Sequence, residues 1–144
     1  MKTRHFIHHL DHPRLEAAIR QAELRTSGEI VVIVHHRPVK DAVAAARAEF
    51  VRRRLHQTSR RNAVLLYVAP ESQAFAILGD EGVHRECGAA FWSEVAAGMQ
   101  ESFRRGDHTA ALLTGIERAG ALLAEKFPAI PGDLNELPDR IIEE

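Results

Sequence analysis

Two stretches of this chain constrain its fold more than any other. IVVIV, residues 30–34, and AVLLYVA, residues 63–69, are unbroken apolar runs rich in β-branched side chains. A strand covered on both faces reads this way, because alternation between apolar and polar vanishes when neither face meets water. Between them lies VKDAVAAARAEFVRRRLHQ, long enough for a helix, with Val43, Ala46, Phe50 and Leu55 as its inward residues. Strand, helix, strand is a βαβ unit, so the two strands should run parallel. A third apolar run, from Gln73 to Leu78, follows after only Pro70, Glu71 and Ser72. That gap is too short for a crossover, so the third strand should turn back antiparallel to the second.

The remaining periodicity is helical. DHPRLEAAIRQAELR places Leu15, Ala18, Ile19 and Ala22 on one stripe. Asp11 or His12 can cap it, and Pro13 falls where a first-turn proline costs no hydrogen bond. From Val83 to Arg104, Cys87, Phe91, Val95 and Met99 recur every fourth residue, with Gly88 interrupting the early turns. Gly106 and Asp107 close that helix and open the last one, Thr109 to Lys126, which has two apolar stripes. The predicted architecture is α/β: a three-layer α/β/α sandwich whose small mixed sheet has helices on both faces. A chain of 144 residues suits one such domain. Its limits are read as 13–127, after a His-rich segment at 1–12 and before a proline-containing acidic tail at 128–144, expected to be extended and partly mobile.

Several function classes are disfavoured by the totals. The formal net charge is -1, so no global field draws in nucleic acid or an anionic membrane. The single cysteine cannot form an internal disulfide. No apolar run reaches the length of a signal peptide or a membrane span, and a cytoplasmic protein is the expectation.

Four segments, in this order, resemble the TPM domain family, which includes a thylakoid-lumen phosphatase. They are AELRTSGEIVVIV (22–34), RNAVLLYVA (61–69), AILGDEGV (76–83) and FRRGDHTAALLTGI (103–116). The resemblance implies an α/β/α sandwich, divalent-cation binding in some members, and acid phosphatase activity in a plant member. Longer relatives carry a signal peptide and a C-terminal anchor, so this chain resembles the short, soluble kind. Where relatives have a glycine-aromatic-glycine turn, this chain has Gly79-Asp80-Glu81-Gly82.

The candidate site follows from the antiparallel third strand, whose end should lie beside the beginnings of the other two. Glu29, Asp80 and Glu81 would then converge, with Thr26, Ser27, Asn62, Arg61 and His84 around them. Carboxylates and neutral oxygens in a loop suit a hard cation, calcium or magnesium. The same residues suit plain architecture: Asp80 is a natural helix cap, acidic residues favour a first turn, and Glu29 can be an exposed strand end. No catalytic residue is assigned. Cysteine-phosphatase and paired-aspartate motifs are absent, so phosphate-ester hydrolysis would need a bound cation to activate water. The alternative is a non-catalytic interaction module using Arg52–Arg54 or the tail. His5, His8, His9 and His12 read as an exposed terminus with weak affinity for metals. The arginines of 47–61 read as a solvated helix end, which argues against nucleic acid as partner.

Overall fold

β1 (Glu29–Val34) and β2 (Ala63–Ala69) form the middle of the sheet, and every residue of both is buried. In the computed structural model, which describes residues 2–130 and 141–144, they pair parallel with Glu29 opposite Ala63 and Val34 opposite Val68. A single 3₁₀ turn at Pro70–Ser72, with Gln73 left-handed at φ 49°, reverses the chain into β3 (Ala74–Gly79). β3 pairs antiparallel with β2, Gly79 opposite Val64 and Ala74 opposite Ala69, as the short gap requires.

Burial on both sides comes from unequal layers. Ile30, Val32 and Val34, with Val64, Leu66 and Val68, face a large core made by α1 (Thr3–His8), α2 (His12–Glu23), α4 (Glu81–Arg104) and α5 (His108–Lys126). Val31 and Ile33, with Ala63, Leu65 and Tyr67, face α3 (Ala42–Arg52) through Ala46 and Phe50. Each fully buried aliphatic side chain contributes roughly 2 kcal/mol. Asp11, Asp41 and Asp107 cap α2, α3 and α5 by accepting backbone N–H bonds. α4 is two helical pieces joined at Gly88, whose φ of 75° is unsuited to a side chain.

One expectation needs correction, and others are sharpened. Val43 is 42 % exposed, because α3 turns Ala46 and Phe50, with half-buried Ala42 and Ala45, toward the sheet instead, and Leu55 reaches the core from a separate 3₁₀ turn. The His-rich opening forms α1, with His5, His8 and His9 exposed as expected and Phe6 turned inward at 2 % exposed. Of the two candidate caps, Asp11 serves, and His12 opens α2 with Pro13 in its first turn. Part of the acidic tail takes a place in the sheet. Residues 131–140 lie outside the described residues, but β4 (Ile141–Glu143) pairs parallel with β1, completing the order β3-β2-β1-β4. Ile141 is buried in the larger core, which gives this short edge strand its anchor.

Candidate functional site

The site is built where three strand ends meet. Ala63 lies opposite Glu29 in β1, and its carbonyl accepts the Asp80 N–H at 2.9 Å. Glu29 and Asp80 therefore flank one residue at the same end of the sheet, as the topology predicted. Of the two readings of Glu29, the exposed strand end does not hold: Glu29 is 2 % exposed, and Asp80 is 6 % exposed.

Asp80 does two jobs. It is the N-cap of α4, where Oδ1 accepts the Glu81 N–H at 2.7 Å. Its two oxygens also receive Arg61 as a fork, Nε to Oδ2 and Nη2 to Oδ1, both 2.9 Å. Planar guanidinium and carboxylate match in this arrangement, which is the strong form of the pair. The Arg61 guanidinium pKa is raised by its bonds to Asp80 and by the negative charges of Asp80 and Glu81. Glu81 is exposed and stands 3.5 Å from Arg61 Nη1 and 3.8 Å from Arg85.

Local backbone geometry aims these groups. Arg61 is left-handed, φ 54°, and its carbonyl accepts the Gly82 N–H at 2.9 Å. A Cβ on Gly82 would stand 2.5 Å from the Arg60 carbonyl oxygen and 2.6 Å from that of Arg61. A Cβ on Gly79 would meet the Trp92 ring at 2.6 Å. The two glycines of GDEG are there for close approach, so the first turn of α4 can press onto the loop that carries Arg61.

The neutral residues split from the carboxylates. Asn62 Nδ2 donates to Ser27 Oγ at 3.2 Å. The single Thr26 hydroxyl proton is shared between the carbonyls of Leu123 and Phe127, and Oγ1 accepts the Gly28 N–H at 3.0 Å. Thr26 thereby ties the TSGE turn to the end of α5, a structural task. His84 follows Asp80 by one helical turn, its N–H donating to the Asp80 carbonyl at 2.9 Å.

Beside the fork a cleft of about 680 Å³ opens between α3 and α4. Arg47, Phe50, His56 and Trp92 join Arg61, Asp80, Glu81 and His84 in its walls. Phe50 was legible in the sequence only as a core residue of the second helix. Among the described residues, no group of three or more His, Cys, Asp or Glu side chains is placed to hold a metal ion. Glu29 and Asp80 share one edge of the sheet, but both Asp80 oxygens already serve Arg61, so the set as it stands is not a ready cation cage.

The histidines and arginines elsewhere are engaged locally. His9 Nδ1 lies 2.9 Å from the His5 carbonyl, and His12 Nε2 lies 3.2 Å from that of Ile7. Arg52 and Arg53 bond to Glu49 and Glu144. His35 and His36 lie 3.4 and 3.8 Å from Glu144 and Glu143. This network, which includes the last residue of the chain, had no sequence signal beyond the charges themselves. Burial pushes the Cys87 thiol up, away from the thiolate a nucleophile needs.

Residues 3–122 match the TPM domain family. The chain belongs to that family. The NMR structure of BA42 protein from the psychrophilic bacterium Bizionia argentinensis has the same fold, with a TM-score of 0.84 and 35 % identity, over 92 % of each chain. No curated protein matches. The match makes the TSGE turn, the RN corner before β2 and the GDEG turn parts of one TPM domain, and the structure brings all three to one edge. None of the described helices is long and apolar enough to cross a membrane.

Proposed function

We propose that this TPM domain binds a divalent cation, calcium or magnesium, at the Glu29/Asp80/Glu81 edge, in exchange for Arg61. The observation that carries the reading is the placement of two deeply buried carboxylates, Glu29 and Asp80, on either side of Ala63. Buried carboxylates require a compensating positive group. Arg61 supplies one to Asp80 while its own side chain stays 43 % exposed, so it can swing out without unpacking the core. Glu81, exposed and adjacent, would give the ion a further oxygen. The exchange costs an arginine fork, so affinity should be weak.

Metal-assisted phosphate-ester hydrolysis is the enzymatic form of this proposal. A bound cation would supply activation of water. The chain's own part would be to hold that cation through Asp80 and Glu81, and to present the freed Arg61 to a phosphate beside the cleft. The alternative, an interaction module using Arg52–Arg54, has less behind it, because Arg52 and Arg53 are neutralised by Glu49 and Glu144.

Titration of calcium, magnesium and zinc, followed by backbone amide shifts, tests the site. Saturable shifts at residues 28–30 and 79–84 support it, and Arg61→Gln should then tighten binding by removing the competitor. Shifts confined to residues 5–12 would assign metal binding to the histidines instead. Equal turnover of a model phosphate ester by wild type and Asp80→Ala would remove Asp80 from any hydrolytic mechanism.

A further inference from the structure

At the other end of β3, far along the strand from Asp80, a second, open-sided cavity of about 410 Å³ is lined by the start of β3, the end of α4, the start of α5 and α1. Phe6, Phe75 and Phe103 supply aromatic walls, with Phe75 and Phe103 ring centres 5.1 Å apart. His108 completes the set, 4.9 Å from Phe6 and 6.0 Å from Phe103. We propose that this cavity binds a small aromatic carboxylate, its ring among the phenylalanines and its anion on Arg104.

The size is that of a small-molecule site, and mostly apolar walls with a few polar groups are what such sites have. The charge balance selects the ligand. Arg104 is the cation on the rim, and no carboxylate is among the described residues that line the cavity. Its neighbour Arg105 pairs with Glu101, whereas Arg104 has no acidic partner among the described residues. One guanidinium, with no second arginine or lysine in the lining, matches a monoanion better than a phosphate dianion, and its fork fits a carboxylate. Gln73 and Gln100 are also in the lining, with amides able to donate to an anion. Burial, helped by the charge of His9, lowers the His108 pKa, so its ring serves as a neutral wall. This site is separate from the carboxylate edge and does not depend on the reading given there.

The test is an amide-shift titration of the full chain with phenylacetate, phenylacetamide, acetate and inorganic phosphate as probes. Phenylacetate should give saturable shifts at residues 73–75 and 100–108. Phenylacetamide should bind on the order of tenfold more weakly, the scale of one charged hydrogen-bonded contact. Arg104→Gln, a change at an exposed position, should erase that difference while leaving the spectrum folded. The proposal fails if phenylacetamide binds as well as phenylacetate, if acetate or phosphate alone gives the same shifts, if the shifts fall at residues 79–84, or if millimolar phenylacetate shifts nothing.

Discussion

Arg61 and Asp80 tie the approach to β2 to the end of β3 through two parallel contacts of 2.9 Å. Asp80 also caps α4, so one side chain links a sheet edge, a loop and a helix start. The two roles can be separated. Asp80→Asn keeps a good N-cap and loses the charge, while Asp80→Ala loses both. Chemical denaturation should show Asp80→Ala less stable than Asp80→Asn by about 1 kcal/mol, the usual worth of a cap. Equal stabilities would mean that the Glu81 N–H finds another acceptor.

Gly82→Ala should destabilise the domain although alanine is the better helix former. The added methyl would sit 2.5 and 2.6 Å from two backbone carbonyl oxygens, which no rotamer change can relieve. Overpacking of this kind costs roughly 1–3 kcal/mol. Melting curves would measure it, and because the Arg61 loop must move, the amide shifts of residues 60–63 should change with it.

Much of this arrangement was readable in the residues. IVVIV and AVLLYVA declared two buried strands, and the Pro70–Ser72 gap fixed the direction of the third, which placed Glu29 and Asp80 at one edge. The Arg61 fork was not readable, because it depends on a left-handed backbone at Arg61 that no local pattern requires. β4 was invisible for a different reason. Three residues are too few to show a period, and their partner β1 lies over a hundred positions away, so nothing local marks IIE as a strand. α1 was masked by its histidines, which hid the buried Phe6 among polar neighbours.

Tyr67 offers a spectroscopic view of the network at the chain's end. It is the sole tyrosine, so an ultraviolet pH titration reports it alone. Burial, then the charges of Glu144 and Glu49, push its pKa from 10.0 up to about 12. Glu144→Gln should lower the midpoint while leaving it above 10, since burial is the larger cause. A folded-state value above the unfolded one means stability is full below pH 10 and declines as pH rises toward 12. The loss is on the order of 2–3 kcal/mol, and Tyr67→Phe should flatten it.

His108 should behave oppositely at the acid side. Its pKa is lowered from 6.5 by burial and by His9 and His5, against the pull of Asp107. A depressed folded value places the stabilising contribution above pH 6.5, and it is lost as pH falls through the folded pKa. In a ring-proton NMR titration, the His108 midpoint should lie below 6.5. A midpoint at or above 6.5 would show the ring to be solvated.

The β4 edge carries a consequence for how the molecule comes together. β2 and β3 are joined by a three-residue 3₁₀ turn, and β1 and β2 by one helical connection, so these pairings close modest loops. β4 must find β1 from the far end of the chain and gains a ladder of only three residue pairs. Assembly should therefore finish at this seam, and hydrogen exchange should release it first, with Ile141–Glu143 detaching as a unit while the β1–β2–β3 ladder stays protected.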